Sequence, residues 1–157
     1  MAETTQASTT KQRLMPEDHP WDWSVPTPYS QGWRCGDFIF VGGQISSDRD
    51  ARTIGVGDIE TQTRNVLNSV KKVLNEAGAD MEDIVKINTF YRFPNGQLEG
   101  EAEREFWEKM NAVRLEFFKK DGPCGTGVRV DGFAYPDLLI EIEAIAYKPL
   151  SEHNGGE

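Results

Sequence analysis

Residues 58–91 carry the pattern that most restricts the fold. Ile59, Thr63, Val66, Val70, Val73 and Ala77 recur at three- and four-residue intervals, and Leu67 and Leu74 widen the stripe. That spacing defines one face of an α-helix, and the face must be buried. Asp58 supplies an N-cap, Glu60 places a negative charge in the first turn, and Gly78 offers the left-handed residue that ends a helix. A short connection later the period changes. Ile84-Val85-Lys86-Ile87-Asn88-Thr89-Phe90-Tyr91 reads as a strand. A helix that feeds directly into a strand needs a sheet to cover its apolar face.

The flanking segments supply that sheet. Ser30–Cys35, a Gly36-Asp37 turn and Phe38–Val41 read as a hairpin that closes on Gly42-Gly43-Gln44. Two glycines at a strand end imply a bulge or a close backbone approach. A second helix is predicted from about Glu101 to Lys120, with Phe106, Met110, Val113, Phe117 and Phe118 on its apolar face, and Gly122-Pro123 ends it. Thr126–Val130 and Leu138–Ala146 follow as strands, with Tyr135-Pro136-Asp137 in the turn between them. The expected order is β-β-α-β-α-β-β: an α+β two-layer sandwich with both helices on one face of a mixed sheet. In the last strand Leu138, Ile140, Ile142 and Ala144 should pack under the helices. The opposite face mixes Leu139 and Ile145 with Glu141 and Glu143, a composition suited to subunit contact.

A length of 157 residues fits one domain, spanning 28–149. Residues 1–27 read as a mobile tail ending in an aromatic clamp, and 150–157 as a second tail. His19-Pro20-Trp21-Asp22-Trp23 would pack the first tail onto the body or lid a pocket. No run is apolar enough for a membrane span, and no signal-peptide pattern opens the chain, so a cytoplasmic location is expected. The net charge of −9 opposes nucleic-acid binding, which needs a cationic face. No zinc spacing, phosphate loop or dinucleotide fingerprint is present; Gly55-Val56-Gly57 lacks the remaining residues of either loop. The two histidines, His19 and His153, lie in the expected tails, which disfavours a Ser-His-Asp or Cys-His device. Cys124 reads as a buried or half-buried thiol without a histidine partner.

Several local sequences, taken in order, resemble the Rid family of reactive-intermediate deaminases, also called the YjgF family. They are Pro28-Tyr29-Ser30-Gln31-Gly32, Phe40-Val41-Gly42-Gly43-Gln44-Ile45, Gln62-Thr63-Arg64-Asn65-Val66-Leu67, Gly78-Ala79 leading to Asp83-Ile84-Val85-Lys86, and Ile140-Glu141-Ile142-Glu143-Ala144-Ile145-Ala146. The resemblance implies a chorismate-mutase-like fold and a homotrimer with small-ligand clefts between subunits. It also implies cofactor-independent hydrolysis of imines and enamines to a ketone and ammonia.

The family's cleft residues carry over to Tyr29, Gly43, Gln44 and Glu141, with Gly42 where the family has serine. The family's arginine, which grips a substrate carboxylate, falls on Gly125 in Pro123-Cys124-Gly125-Thr126. A family asparagine near the start of the second helix aligns with Glu105. Tyr29, Gly42, Gly43, Gln44, Gly125, Thr126, Glu105 and Trp107 are therefore expected to bind substrate, and Glu141 to act in catalysis. A glycine cannot form the bidentate pair of a guanidinium with a carboxylate. The substrate is then expected to differ from that of the arginine-bearing deaminases. Arg34 and Arg129 are the candidate replacement cations, although Arg129 lies about 13 Å along a strand from Gly125. The rival reading is a non-catalytic, ligand-binding or chaperone-like trimer. Ribonuclease activity is disfavoured by the acidic charge.

Overall fold

A computed structural model describes residues 11–17, 26–119 and 121–150. Strands β1 (Lys11–Leu14), β2 (Gly32–Cys35) and β3 (Phe38–Ile45) precede helix α1 (Ile59–Glu76). Strand β4 (Ile84–Tyr91), helix α2 (Glu101–Phe117), β5 (Cys124–Arg129) and β6 (Ile140–Tyr147) follow among the described residues. The six strands form one sheet in the order β1-β2-β3-β6-β4-β5. Only β4 and β5 pair in parallel. Because β3 and β4 both run antiparallel to β6, they point the same way. The crossovers β3-α1-β4 and β4-α2-β5 therefore advance in one direction across the sheet. The right-handed rule for such crossovers places both helices on one face.

Helix α1 has the predicted caps. Asp58 Oδ1 accepts from the backbone N–H groups of Glu60 and Thr61 at 3.0 and 3.2 Å. At the other end Gly78, with φ +73°, lets Ala79 N–H reach Leu74 O at 3.0 Å while Gly78 N–H bonds Asn75 O. The stripe is sealed: Val66, Leu67, Val70, Val73 and Leu74 are fully buried, against Ile39, Ile87, Ile140 and Ile142 of the sheet. The predicted alternation of β6 holds from Ile140 onward, with Ile140, Ile142, Ala144 and Ala146 buried and Glu141, Glu143 and Ile145 half-buried on the outer face, but Leu139, expected on that outer face, precedes the strand and is buried in the core. That face also carries exposed Phe40 and Val128.

Three expectations change. Lys11–Leu14 is not a loose tail. It pairs with β2 as an edge strand, and Leu14 is completely buried. The strand escapes a hydropathy reading because an edge strand needs only one anchored apolar residue when its other side chains face water. Helix α2 stops at Phe117; Phe118 turns extended (φ −118°, ψ 101°) and still packs on the core. Cys124 is exposed rather than buried, because β5 is an edge strand whose six residues are all exposed. The cluster at His19–Trp23 and His153 lie outside the described residues. No helix among the described residues is long and apolar enough to cross a membrane.

Candidate active site

The site begins with a register fault. Strand β3 pairs Val41 with Ala144 and then Gln44 with Ile142, so β3 spends one extra residue. This is a β-bulge at Gly42-Gly43. Beyond it the faces exchange: Gln44 turns into the core, and Ile45 comes opposite Glu141. Glu141 reaches back over the bulge. A β-carbon on Gly43 would overlap Glu141 Oε1 and stand only 3.0 Å from its Cδ. Only a glycine leaves that carboxylate its place.

The segment before β2 closes the site. Gly42 N–H donates to Gln31 O at 2.9 Å, which holds residues 29–31 against the bulge. Tyr29 Oη donates to Gly43 O at 3.3 Å. Strand β1 straps this segment from the other side, with Arg13 donating to Tyr29 O (2.5 Å) and Ser30 Oγ (2.8 Å). Tyr29, Gly43 and Glu141 then share a cavity of about 230 Å³ with Thr27, Ile45, Ala134 and Leu138. Burial pushes the Tyr29 phenol up to about 12, and the Glu141 charge adds to the shift. Burial also raises the Glu141 carboxyl above its ordinary value, assisted by the neighbouring charge of Glu143. A carboxylate so placed is a stronger base than one in water.

The other expected residues distribute unevenly. Gln44 is completely buried and cannot line the cavity. Its Nε2 instead donates to Gln31 Oε1 (2.9 Å) and Gly42 O (3.0 Å), bracing the bulge from behind. Gly42 does not line that cavity but borders a second one of about 310 Å³ on the outer sheet face, with Trp33, Phe40, Lys86, Asn88 and Glu143. Glu143 is thereby engaged elsewhere, accepting from Asn88 Nδ2 at 2.7 Å.

Gly125 and Thr126 lie on β5, which β4 separates from β6, so one chain does not bring them to Glu141. Gly125 borders Ile87, and Thr126 Oγ1 accepts from Lys86 Nζ at 3.3 Å. Glu105 is exposed on α2, paired with Lys109 at 2.7 Å, and it borders a different cavity beside Asp58 and Phe106. That ion pair holds its carboxyl below the usual range. Trp107 packs edge-on against Tyr91, with ring centroids 4.5 Å apart. Neither proposed replacement cation faces the cavity. Arg34 is buried and donates to Gly36 O, Ala77 O and Lys148 O, and the Arg129 guanidinium sits 5.8 Å from the centre of the Phe93 ring.

One contributor was missed. Gln62 is fully buried within the apolar stripe of α1. Its Nε2 donates to Gly55 O and Asp137 O, and its Oε1 accepts from Leu139 N–H. It thus fixes the chain on both sides of Leu138, a wall of the cavity. The signal was available: Gln62 is a polar residue three positions after Ile59 and four before Val66, on the buried face. No group of three His, Cys, Asp or Glu side chains that could hold a metal exists among the described residues.

The profile of the endoribonuclease L-PSP family, which includes the Rid (YjgF) proteins, matches residues 23–148. The chain belongs to this family. A RutC family protein of Pyrococcus abyssi is 40% identical over 121 residues, covering 77% of this chain and 87% of that protein. The 3-aminoacrylate deaminase RutC of Acinetobacter baylyi is 28% identical, covering 87% of this chain and 98% of that protein. Among solved structures, the Rid protein YyfA of Yersinia pestis superposes with a TM-score of 0.69 at 28% identity, covering 88% of this chain and 99% of that one. A YjgF-family protein of Mycobacterium tuberculosis gives 0.66 at 27%, with the same coverage.

Proposed function

We propose that this Rid-family chain hydrolyses the C=N bond of a small imine, reached from an enamine through its imine tautomer, with Glu141 as its general base. The observation that carries the reading is the Glu141 carboxylate, half-buried over Gly43 in a cavity shared with Tyr29. Water adds to the carbon of the C=N bond. Glu141 takes a proton from that water and passes it to the nitrogen, and the resulting carbinolamine collapses to a carbonyl and ammonia. No step calls for a cofactor. The 3-aminoacrylate deaminase among the relatives supports this class of reaction.

The subunits are proposed to form a homotrimer through the outer sheet face. Phe40 and Val128, at 44% and 41% exposure, supply apolar surface there, and all six residues of β5 are open to contact. Such an assembly would bring one subunit's Gly125 and Thr126 toward a neighbour's Glu141. With glycine in place of the carboxylate-gripping arginine, the substrate class diverges from that of the arginine-bearing deaminases. RNA is a poor substrate for so acidic a chain, because each phosphate contact needs a cation.

Glu141→Gln tests the reading. It keeps the size and most hydrogen bonds but cannot accept a proton. Ammonia release across an imine panel is expected to fall about 10²–10⁴-fold in kcat. Native mass spectrometry of the same sample is expected to show an intact trimer. Full kcat in the variant would overturn the catalytic role. Loss of the trimer with it would favour a non-catalytic, ligand-binding assembly.

A further inference from the structure

We infer that Arg13 is a positioning residue of the candidate active site: from strand β1 it holds the Tyr29 carbonyl and the Ser30 hydroxyl, and so sets the Tyr29 ring that stands over the Gly43 bulge beside Glu141. For turnover, this rests on the imine-hydrolase reading above. For the placement of Tyr29, it stands alone.

The anchor itself is fixed. Arg13 stands opposite Trp33 in the β1–β2 pairing, one residue before Leu14. Leu14 is completely buried, and it enters the core over Gly32, where a β-carbon would stand 3.4 Å from Leu14 Cδ1 and only 2.7 Å from Phe40 O and Val73 Cγ1. The next residue, Met15, donates its N–H to Glu76 Oε1 of α1 at 3.0 Å. The guanidinium is therefore carried by a strand tied to the sheet on one side and to the helix on the other. From that anchor three consecutive residues are held. Arg13 Nη2 donates to Tyr29 O at 2.5 Å, Arg13 Nε donates to Ser30 Oγ at 2.8 Å, and Gln31 N–H donates to Met15 Sδ at 3.2 Å.

The held segment carries the tyrosine of the site. Pro26 and Pro28, which lead into Tyr29, are exposed, and a proline has no N–H with which to tie its backbone. Downstream, Gln31 O accepts from Gly42 N–H, two residues past the tyrosine. Tyr29 thus reaches Gly43 O, at 3.3 Å, from a backbone that the guanidinium holds in place. A planar, charged donor shared between a carbonyl and a hydroxyl fixes both at once, which an ammonium or a neutral side chain does not reproduce. Without it the Tyr29 peptide can rotate and carry the ring off the bulge. Arg13 does not line the Glu141 cavity, so its contribution passes through Tyr29.

Arg13→Met keeps the stem and removes the guanidinium. Lys11→Met is the control on the same strand, where the ammonium lies 4.0 Å from the centre of the Trp33 ring rather than on residues 29 and 30. Both are made in the full chain labelled with 3-fluorotyrosine at its four tyrosines, with Tyr29→Phe assigning one ¹⁹F signal. Arg13→Met is expected to move the Tyr29 signal alone and to raise its H₂O/D₂O isotope shift, as a ring opened to solvent does. Lys11→Met is expected to leave that signal in place. An unmoved Tyr29 signal in Arg13→Met overturns the inference, whether or not stability or assembly falls. In ammonia release, Arg13→Met is expected to lower kcat/KM about tenfold, and Lys11→Met to stay within about twofold of wild type. In a Tyr29→Ala background Arg13→Met should add almost nothing, since a residue that acts through another has no effect once the other is gone. A full additional loss there overturns the inference. Unchanged kcat/KM in Arg13→Met, with wild type active, defeats the positioning role and leaves the hydrolase intact. A moved Tyr29 signal with no ammonia release by wild type from any imine defeats the hydrolase and leaves the placement of Tyr29 by Arg13 standing.

Discussion

Replacing Gly43 by alanine is a direct test of the site geometry. The new methyl would lie 3.0 Å from Glu141 Cδ and overlap Oε1. Carbon–carbon contacts settle near 3.5–4.0 Å, so the carboxyl must retreat by about 1 Å. Displacements of that order cost about 10²-fold when the moved group acts on the reacting atoms. Gly43→Ala is therefore expected to lower kcat by roughly that factor. Gly42→Ala is the matched control. Its β-carbon would meet Tyr29 Oη at 3.1 Å and the backbone oxygens of Gln31 and Ser30 at 3.4 and 3.5 Å, with no overlap on the carboxylate. A shift of a few tenths of an ångström in Tyr29 accommodates it, and its kcat should change only a few-fold. Both variants are read by ammonia release on the best imine substrate, with thermal unfolding alongside to exclude collapse of the fold. Equal effects of the two substitutions, or full kcat in Gly43→Ala, would refute the claim that Gly43 is a glycine for the sake of Glu141.

Two further predictions concern stability. Arg34 ties β2, the end of α1 and the segment after β6 through carbonyl acceptors at 2.6–3.0 Å. Arg34→Met keeps much of the apolar stem but abandons all three, and urea unfolding should show a loss of about 3 kcal/mol. A loss under about 1 kcal/mol would show that the network re-hydrates at no cost. For pH, the folded-state pKa of Glu141 is raised, so the folded chain holds its proton over a window where the unfolded chain has lost it. The stabilisation is full below the unfolded carboxyl value and fades as pH rises through the folded one. The unfolding free energy of wild type relative to Glu141→Gln should therefore decline with rising pH from the ordinary glutamate range upward. A flat difference would mean that Glu141 is solvated like a surface carboxylate.

Much of the fold was legible because periodic burial dictates it. The stripe from Ile59 to Ala77 and the alternation of Ile140–Ala146 each admit one orientation, and both are observed, whereas Leu139, expected on the outer face, is buried in the core ahead of the strand. What escaped is whatever a periodic reading assumes away. Lys11–Leu14 is bound by pairing with β2 and by one buried leucine, a signal too short to see. The resemblance places Gln44 at the ligand as the residue that follows Gly43 in the family's strand end, and a linear motif carries no strand register. The bulge shifts that register and sends Gln44 into the core. Glu105 is placed by the resemblance alone, and in this chain it is an exposed residue paired with Lys109 beside a cavity other than that of Glu141.

The bulge also explains why one of two equivalent glutamates is set apart. Glu141 and Glu143 share a strand, a face and nearly the same neighbours in sequence, so strand parity cannot separate them. Their surroundings across the sheet do. Glu143 lies in regular ladder beside Asn88, whose amide satisfies it, and it shares a cavity with Lys86. Glu141 lies where β3 has gained a residue and lost its side chains, so its carboxylate meets backbone and cavity rather than a partner. A strand normally neutralises or solvates its charges. Here two glycines far away in the sequence leave one charge half-buried, raise its proton affinity and keep open the space beside it. The reactivity assigned to Glu141 is thus a property of the β3–β6 register as much as of the glutamate. A residue inserted or deleted between Val41 and Gln44 would remove it while leaving Glu141 in place.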